Sequence, residues 1–250
     1  MIKKHYKFII FLLIFLLIFI IYQTNHKNYI NYTSLGDGYA LGINSYGIID
    51  YGYSDYIKDD IEQKNELKLY TKEFSKKDQS ITNLYQEILT NKKIKIDTQE
   101  INLRQAIRES NIITMTIGLN DITYNIAITE EMTEQKLDQI IEDTYKDFTK
   151  LINEIAKYYP KKLIIVGYPN IPIQDYYLKL GLEKWNEKVK TNKKIIYIDT
   201  KDIIEEEDFL KTNSKYPSTK SYQKIASKVQ KRLVKQQFYW YTNNAMNYYG

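Results

Sequence analysis

Short apolar runs of strand length alternate with amphipathic helical stretches along nearly all of this 250-residue chain, and that alternation restricts the fold most. Strand-like runs fall at residues 29–35, 67–74, 112–117, 163–166 and 195–198. Helical spacing is read over 55–64, 81–89, 97–109, 130–159, 177–189 and 218–234. The longest of these places Leu137, Ile141, Phe148, Leu151 and Ile155 on one face, and Pro160 ends it. Strands separated by helices predict a parallel sheet covered on both faces, hence one α/β sandwich. In such sheets, ligands gather beyond the carboxyl ends of the strands.

The N-terminus stands outside this pattern. Residues 8–22 are an unbroken apolar and aromatic run, preceded by Lys3, Lys4 and Lys7. As a helix the run rises roughly 22 Å, short of the ~30 Å hydrocarbon core, but Tyr6 and Tyr22 can sit at the interfaces while the lysines snorkel. A cleaved signal peptide is the competing reading, yet no small-x-small site follows Ile21. The expectation is a signal-anchor at 8–22, with 1–7 in the cytoplasm and 23–28 as a stalk. Residues 29–237 would form an extracytoplasmic domain at the cell membrane, and 238–250 an aromatic tail.

The chain has no cysteine, so neither disulfides nor thiolate metal sites are available. Its net charge of +5 is dispersed among acidic residues, which argues against a nucleic-acid partner. No metal or other cofactor is expected, because an all-oxygen site would need a spacing motif that does not occur.

Two turns carry the functional signal. Ser34-Leu35-Gly36-Asp37-Gly38-Tyr39 follows the first strand, and Gly118-Leu119-Asn120-Asp121 follows the third. Before the last helix stands Asn213-Ser214-Lys215-Tyr216-Pro217. Three such blocks in this order resemble those of the SGNH/GDSL hydrolases over roughly residues 31–235. The resemblance implies a three-layer sandwich around a mainly parallel, flavodoxin-like five-stranded sheet.

It also implies roles. The first block would carry a nucleophilic serine, but that position holds Gly38. The second block would supply an oxyanion-hole glycine near 74–78, where Lys77 or Asp78 stands instead. The third block is intact, so Gly118 and Asn120 match, with Asn120 as the side-chain donor to the oxyanion. In the last block Asn213 holds the acid position and Tyr216 the base position. The only histidines, His5 and His26, lie before the domain.

Acyl transfer by this template needs a nucleophile, a base and aimed donors. Gly38 has no side chain, and a tyrosine of reference pKa about 10 is a poor base. The expected function is therefore a pseudoenzyme whose cleft binds an envelope glycan or an acylated ligand, with Tyr39, Asp78 and Asp121 among its contacts. The alternatives are an esterase or acyltransferase with an unrecognised nucleophile, and a structural partner in an envelope complex. Asp37 and Asp121 could pair for acid/base work, or simply hold their loops through backbone hydrogen bonds. Ser34 reads as strand packing, and Ser218 as a helix cap. The tyrosines at 39, 46, 51, 53 and 56 suit stacking on sugars, or reflect a tyrosine-rich composition of 25 in all.

Overall fold

A computed structural model describes residues 11–16, 29–96, 99–211 and 213–247, with side chains as far as 234. Five strands form one parallel sheet: β1 (Ile30–Gly36), β2 (Leu67–Thr71), β5 (Ile112–Thr116), β6 (Leu163–Val166) and β7 (Ile195–Ile198). Their spatial order is β2-β1-β5-β6-β7, so the chain winds outward in both directions from the β1/β5 pair. This is the expected flavodoxin-like order. Its topological switch point lies between β1 and β5, where both signature turns emerge.

The helices are α1 (Gly38–Leu41), α2 (Tyr53–Gln63), α3 (Ile81–Leu89), α4 (Leu103–Glu109), α5 (Leu119–Ile128), α6 (Glu134–Ala156), α7 (Tyr176–Lys190) and α8 (Thr219–Asn247). α2 packs on α8 over one face of the sheet, and α3, α5, α6 and α7 pack together over the other. Central strands are therefore buried on both sides: Tyr32, Leu35, Ile113, Met115 and Val166 are all within the core.

Four elements differ from expectation. Residues 97–109 are not one helix: β3 (Lys93–Ile96) and β4 (Gln99–Asn102) form a separate antiparallel hairpin, and only α4 follows. The Lys-Ile-Lys-Ile run of β3 has a period of two, and the Asn102 side chain starts α4 by accepting from Gln105 N at 2.9 Å. α5 occupies a stretch for which no helix was expected, and α6 begins at Glu134 because Thr133 caps it. The last helix continues to Asn247, through most of the segment read as a tail.

Among the described residues no helix is long and apolar enough to cross a membrane. Of the apolar run at 8–22, residues 11–16 are helical and exposed, and the rest of the expected anchor lies outside the described residues.

Candidate functional site

The site is built where the backbones of β1 and β5 end side by side. Gly36 pairs with Thr116 and has φ +117°; a Cβ there would lie 1.8 Å from the Thr116 carbonyl oxygen, so only glycine fits. The chain then turns into α1, with Asp37 as its N-cap accepting from Tyr39 N at 3.0 Å. The same carboxylate accepts from Thr116 Oγ1 at 2.9 Å and from the Tyr168 hydroxyl, which itself accepts from Leu119 N at 3.1 Å. Asp37 thus ties together the ends of β1, β5 and β6. It is fully buried, and that desolvation pushes its pKa up to about 6 despite these hydrogen bonds.

Gly38 opens α1, and the space its side chain would occupy belongs to Tyr216. A Cβ on Gly38 would meet the Tyr216 hydroxyl oxygen at 2.5 Å and ring carbons at 2.6 and 2.7 Å. Tyr216 is held from behind. Its carbonyl accepts from Ser45 Oγ at 3.0 Å and from Ser214 Oγ at 2.8 Å, while its N–H donates to Ser214 Oγ. In front, its ring lies against Tyr39, with centroids 5.4 Å apart. Tyr39 is fully buried, packs edge-on against Tyr168 and Tyr222, and donates to the Lys215 carbonyl at 2.7 Å. Burial, with the nearby Asp37 and Asp78 carboxylates, raises the Tyr216 hydroxyl well above its ordinary range, away from any role as a base. Asn213 is exposed, with a left-handed backbone at φ 61°.

The second turn is equally constrained. Gly118 has φ +118°, and a Cβ on it would strike the Trp185 ring at 2.5 Å; that indole donates to Ile117 O at 3.2 Å. The Asn120 amide nitrogen donates to Lys77 O at 3.0 Å and to Gln79 O at 2.9 Å. Both of its N–H groups are therefore engaged by the loop after β2, and neither is free to meet an oxyanion. Asp121 accepts from Ile81 N at 3.1 and 3.2 Å, fixing the start of α3, and burial raises its pKa to about 7. Asp78 is exposed on the loop that Asn120 holds.

The structure brings Asp37, Gly38, Tyr39 and Tyr216 together, with Gly118, Asn120 and Asp121 on the adjoining turn. The tyrosine-rich stretch does not form one platform. Tyr39 and Tyr53 are in the core, Tyr51 packs on Tyr56, and Tyr46 is exposed. Ser34 is buried against Ala40 O, and Ser218 Oγ accepts from Ser221 N at the start of α8. Sequence reasoning missed Tyr168 and Thr116, the two hydroxyls on Asp37. Their signal was position alone: both stand at the carboxyl end of a central strand. Among the described residues, no group of His, Cys, Asp and Glu could hold a metal ion.

Solved structures share this fold. A lipase from a goat rumen metagenome superposes with a TM-score of 0.63 at 18% identity, covering 80% of this chain and 95% of that one. A member of the lipolytic G-D-S-L family from Veillonella parvula gives 0.53 at 17%, covering 80% and 96%. A catalytic mutant of an acetylxylan esterase from Geobacillus stearothermophilus gives 0.55 at 13%, covering 81% and 93%. The chain therefore has the fold of the SGNH/GDSL lipolytic hydrolases and esterases. No sequence-family model and no curated protein matches it.

Proposed function

We propose that this chain is a non-hydrolytic version of the SGNH/GDSL fold, held at a membrane by residues 8–22, whose domain serves as a structural partner in an extracytoplasmic assembly. One observation carries the reading: the Tyr216 ring fills the space that a nucleophile at position 38 would need. The engaged donors of Asn120 point the same way, since a tetrahedral intermediate would find no side-chain donor there.

The packing also favours a structural role over a ligand seated in the old cleft. Tyr39, the nearest candidate contact for a glycan or acylated ligand, is fully buried. What faces solvent at this end is a built hairpin tip. Asn44 Oδ1 accepts from Tyr46 N and Ile48 N, and Ile43 bridges Ile49. Tyr46, Ile48 and Ile49 are each about 60% exposed on it, with Leu210 held alongside through Ser45. Contiguous apolar side chains on a fixed turn suit contact with another macromolecule.

A fluorophosphonate probe applied to the full chain in detergent micelles tests the loss of chemistry. The expected result is no serine labelled above the heat-denatured control. Labelling of one serine that heating abolishes would establish a working esterase with an unrecognised nucleophile.

A further inference from the structure

A cavity of about 680 Å³ opens at the carboxyl ends of β6 and β7. That edge of a doubly wound sheet is where ligands are held, and the volume suits a small organic molecule. One wall is α7 and the other is the loop that follows β7. The floor is apolar: Ile171, Leu182 and Ile204 are all buried.

The frame is fixed at two points. Asn186 on α7 accepts from Tyr168 N at 3.0 Å and donates to Tyr168 O at 2.8 Å. Lys201 reaches from the loop to Glu183 on α7 at 3.0 Å, closing one charge pair between the two walls. A second set of charges stays open. Lys179 lies one turn before Glu183 on the helix, and Glu205 and Glu206 lie on the loop. Among the described residues none of these three joins an ion pair, although their neighbours Glu183, Lys184 and Lys224 do. The like-charged Glu207 beside it lifts the Glu205 carboxyl above the ordinary range.

We propose that this cavity binds a short peptide with free termini. Its carboxylate would meet Lys179, its ammonium Glu205 and Glu206, and an apolar side chain would rest on Ile171, Leu182 and Ile204. An acyl chain would leave both sets of charges unanswered, and a neutral glycan would leave the apolar floor as well. A ligand of a single charge would answer only one side. The site shares neither Gly38 nor Tyr216, so the proposal goes beyond the loss of hydrolysis and does not depend on it.

The test is calorimetric titration of the full chain in detergent micelles with the tripeptide alanyl-leucyl-alanine, its N-acetyl form and its C-terminal amide. The free tripeptide is expected to bind saturably, and each cap to weaken binding about tenfold through loss of one charge-assisted contact. Lys179→Ala is expected to weaken the free peptide about as much while leaving the amide unchanged. Glu205→Gln with Glu206→Gln should weaken the free peptide and leave the N-acetyl form unchanged. All three residues are exposed, so these variants test binding without disturbing the core. The proposal is overturned if no saturable heat appears up to about 10 mM. It is overturned equally if the caps or the substitutions leave the affinity of the free peptide unaltered.

Discussion

Replacing Gly38 by alanine is expected to destabilise the domain by roughly 1–3 kcal/mol, the usual cost of forcing a group into a filled core. The same replacement in a Tyr216→Ala background is expected to be neutral or to stabilise by up to about 1 kcal/mol. The inversion follows from the geometry. Gly38 is the first residue of α1 and is not among the glycines with positive φ, so its backbone accepts alanine and helix propensity favours it. The three nearest obstacles are atoms of the Tyr216 side chain, at 2.5–2.7 Å from the added carbon. That ring cannot swing aside cheaply, because it is largely buried and Tyr39 backs its face. Tyr216→Ala alone should itself cost about 3 kcal/mol as an aromatic-to-alanine core truncation. The comparison that matters is therefore the double-mutant cycle, read from urea unfolding midpoints. An equal cost of Gly38→Ala in both backgrounds would show that Tyr216 does not occupy the site.

Stability is expected to fall as pH rises from about 5 to 8, a direction opposite to that of ordinary acid denaturation. Asp37 and Asp121 have folded pKa values of about 6 and about 7, both raised chiefly by burial, with Asp37 adding to the shift of Asp121. A carboxyl whose folded pKa lies above its unfolded one binds more protons in the native state. Its contribution is complete below the unfolded value near 4 and is lost as pH passes the folded value. For Asp37 alone the shift corresponds to roughly 3 kcal/mol, and because the two groups interact their contributions do not simply add. No histidine lies within residues 29–250 to titrate in the same window, so the slope belongs chiefly to these two buried carboxyls. Carboxyls held low, such as Glu87 and Asp208, act only below about pH 5. Urea midpoints at a series of pH values measure the slope, and Asp37→Asn should flatten the part centred near pH 6. A wild-type curve that is level from pH 5 to 8 would contradict the buried, ionisable character of both groups.

The architecture was legible because the apolar runs of β1, β2, β5, β6 and β7 are separated by helical spacing. Chain order alone then placed the Gly36 and Gly118 turns at strand ends. The hairpin of β3 and β4 was not legible, because in a chain rich in lysine and isoleucine a four-residue alternation is easily absorbed into a helical reading. α5 was hidden by the turn before it: Gly118 draws the eye as a loop, yet it stands directly before ten helical residues.

The site divides the same way. Position singled out Gly38, Asn120 and Tyr216 as candidates, but what each side chain touches depends on contacts between distant segments. Tyr216 stands 178 positions from Gly38, and nothing in either local sequence says that the ring of one replaces the side chain of the other. Asn120 kept the residue type of a working oxyanion donor, while the carbonyls of Lys77 and Gln79 decide where its protons go. Asp37 and Asp121 settle on loop-holding hydrogen bonds with Tyr39, Thr116, Tyr168 and Ile81. Residue type set the chemistry that was available, and packing set which of it is used.

The most direct test is turnover of a short-chain chromogenic ester by the full chain in detergent micelles, compared with its Asn120→Ala variant. The account predicts no hydrolysis above buffer in either protein, because the nucleophile's space is filled and the oxyanion donor is engaged. Turnover by the wild type that falls in Asn120→Ala would contradict it, since the oxyanion site would then be open and in use.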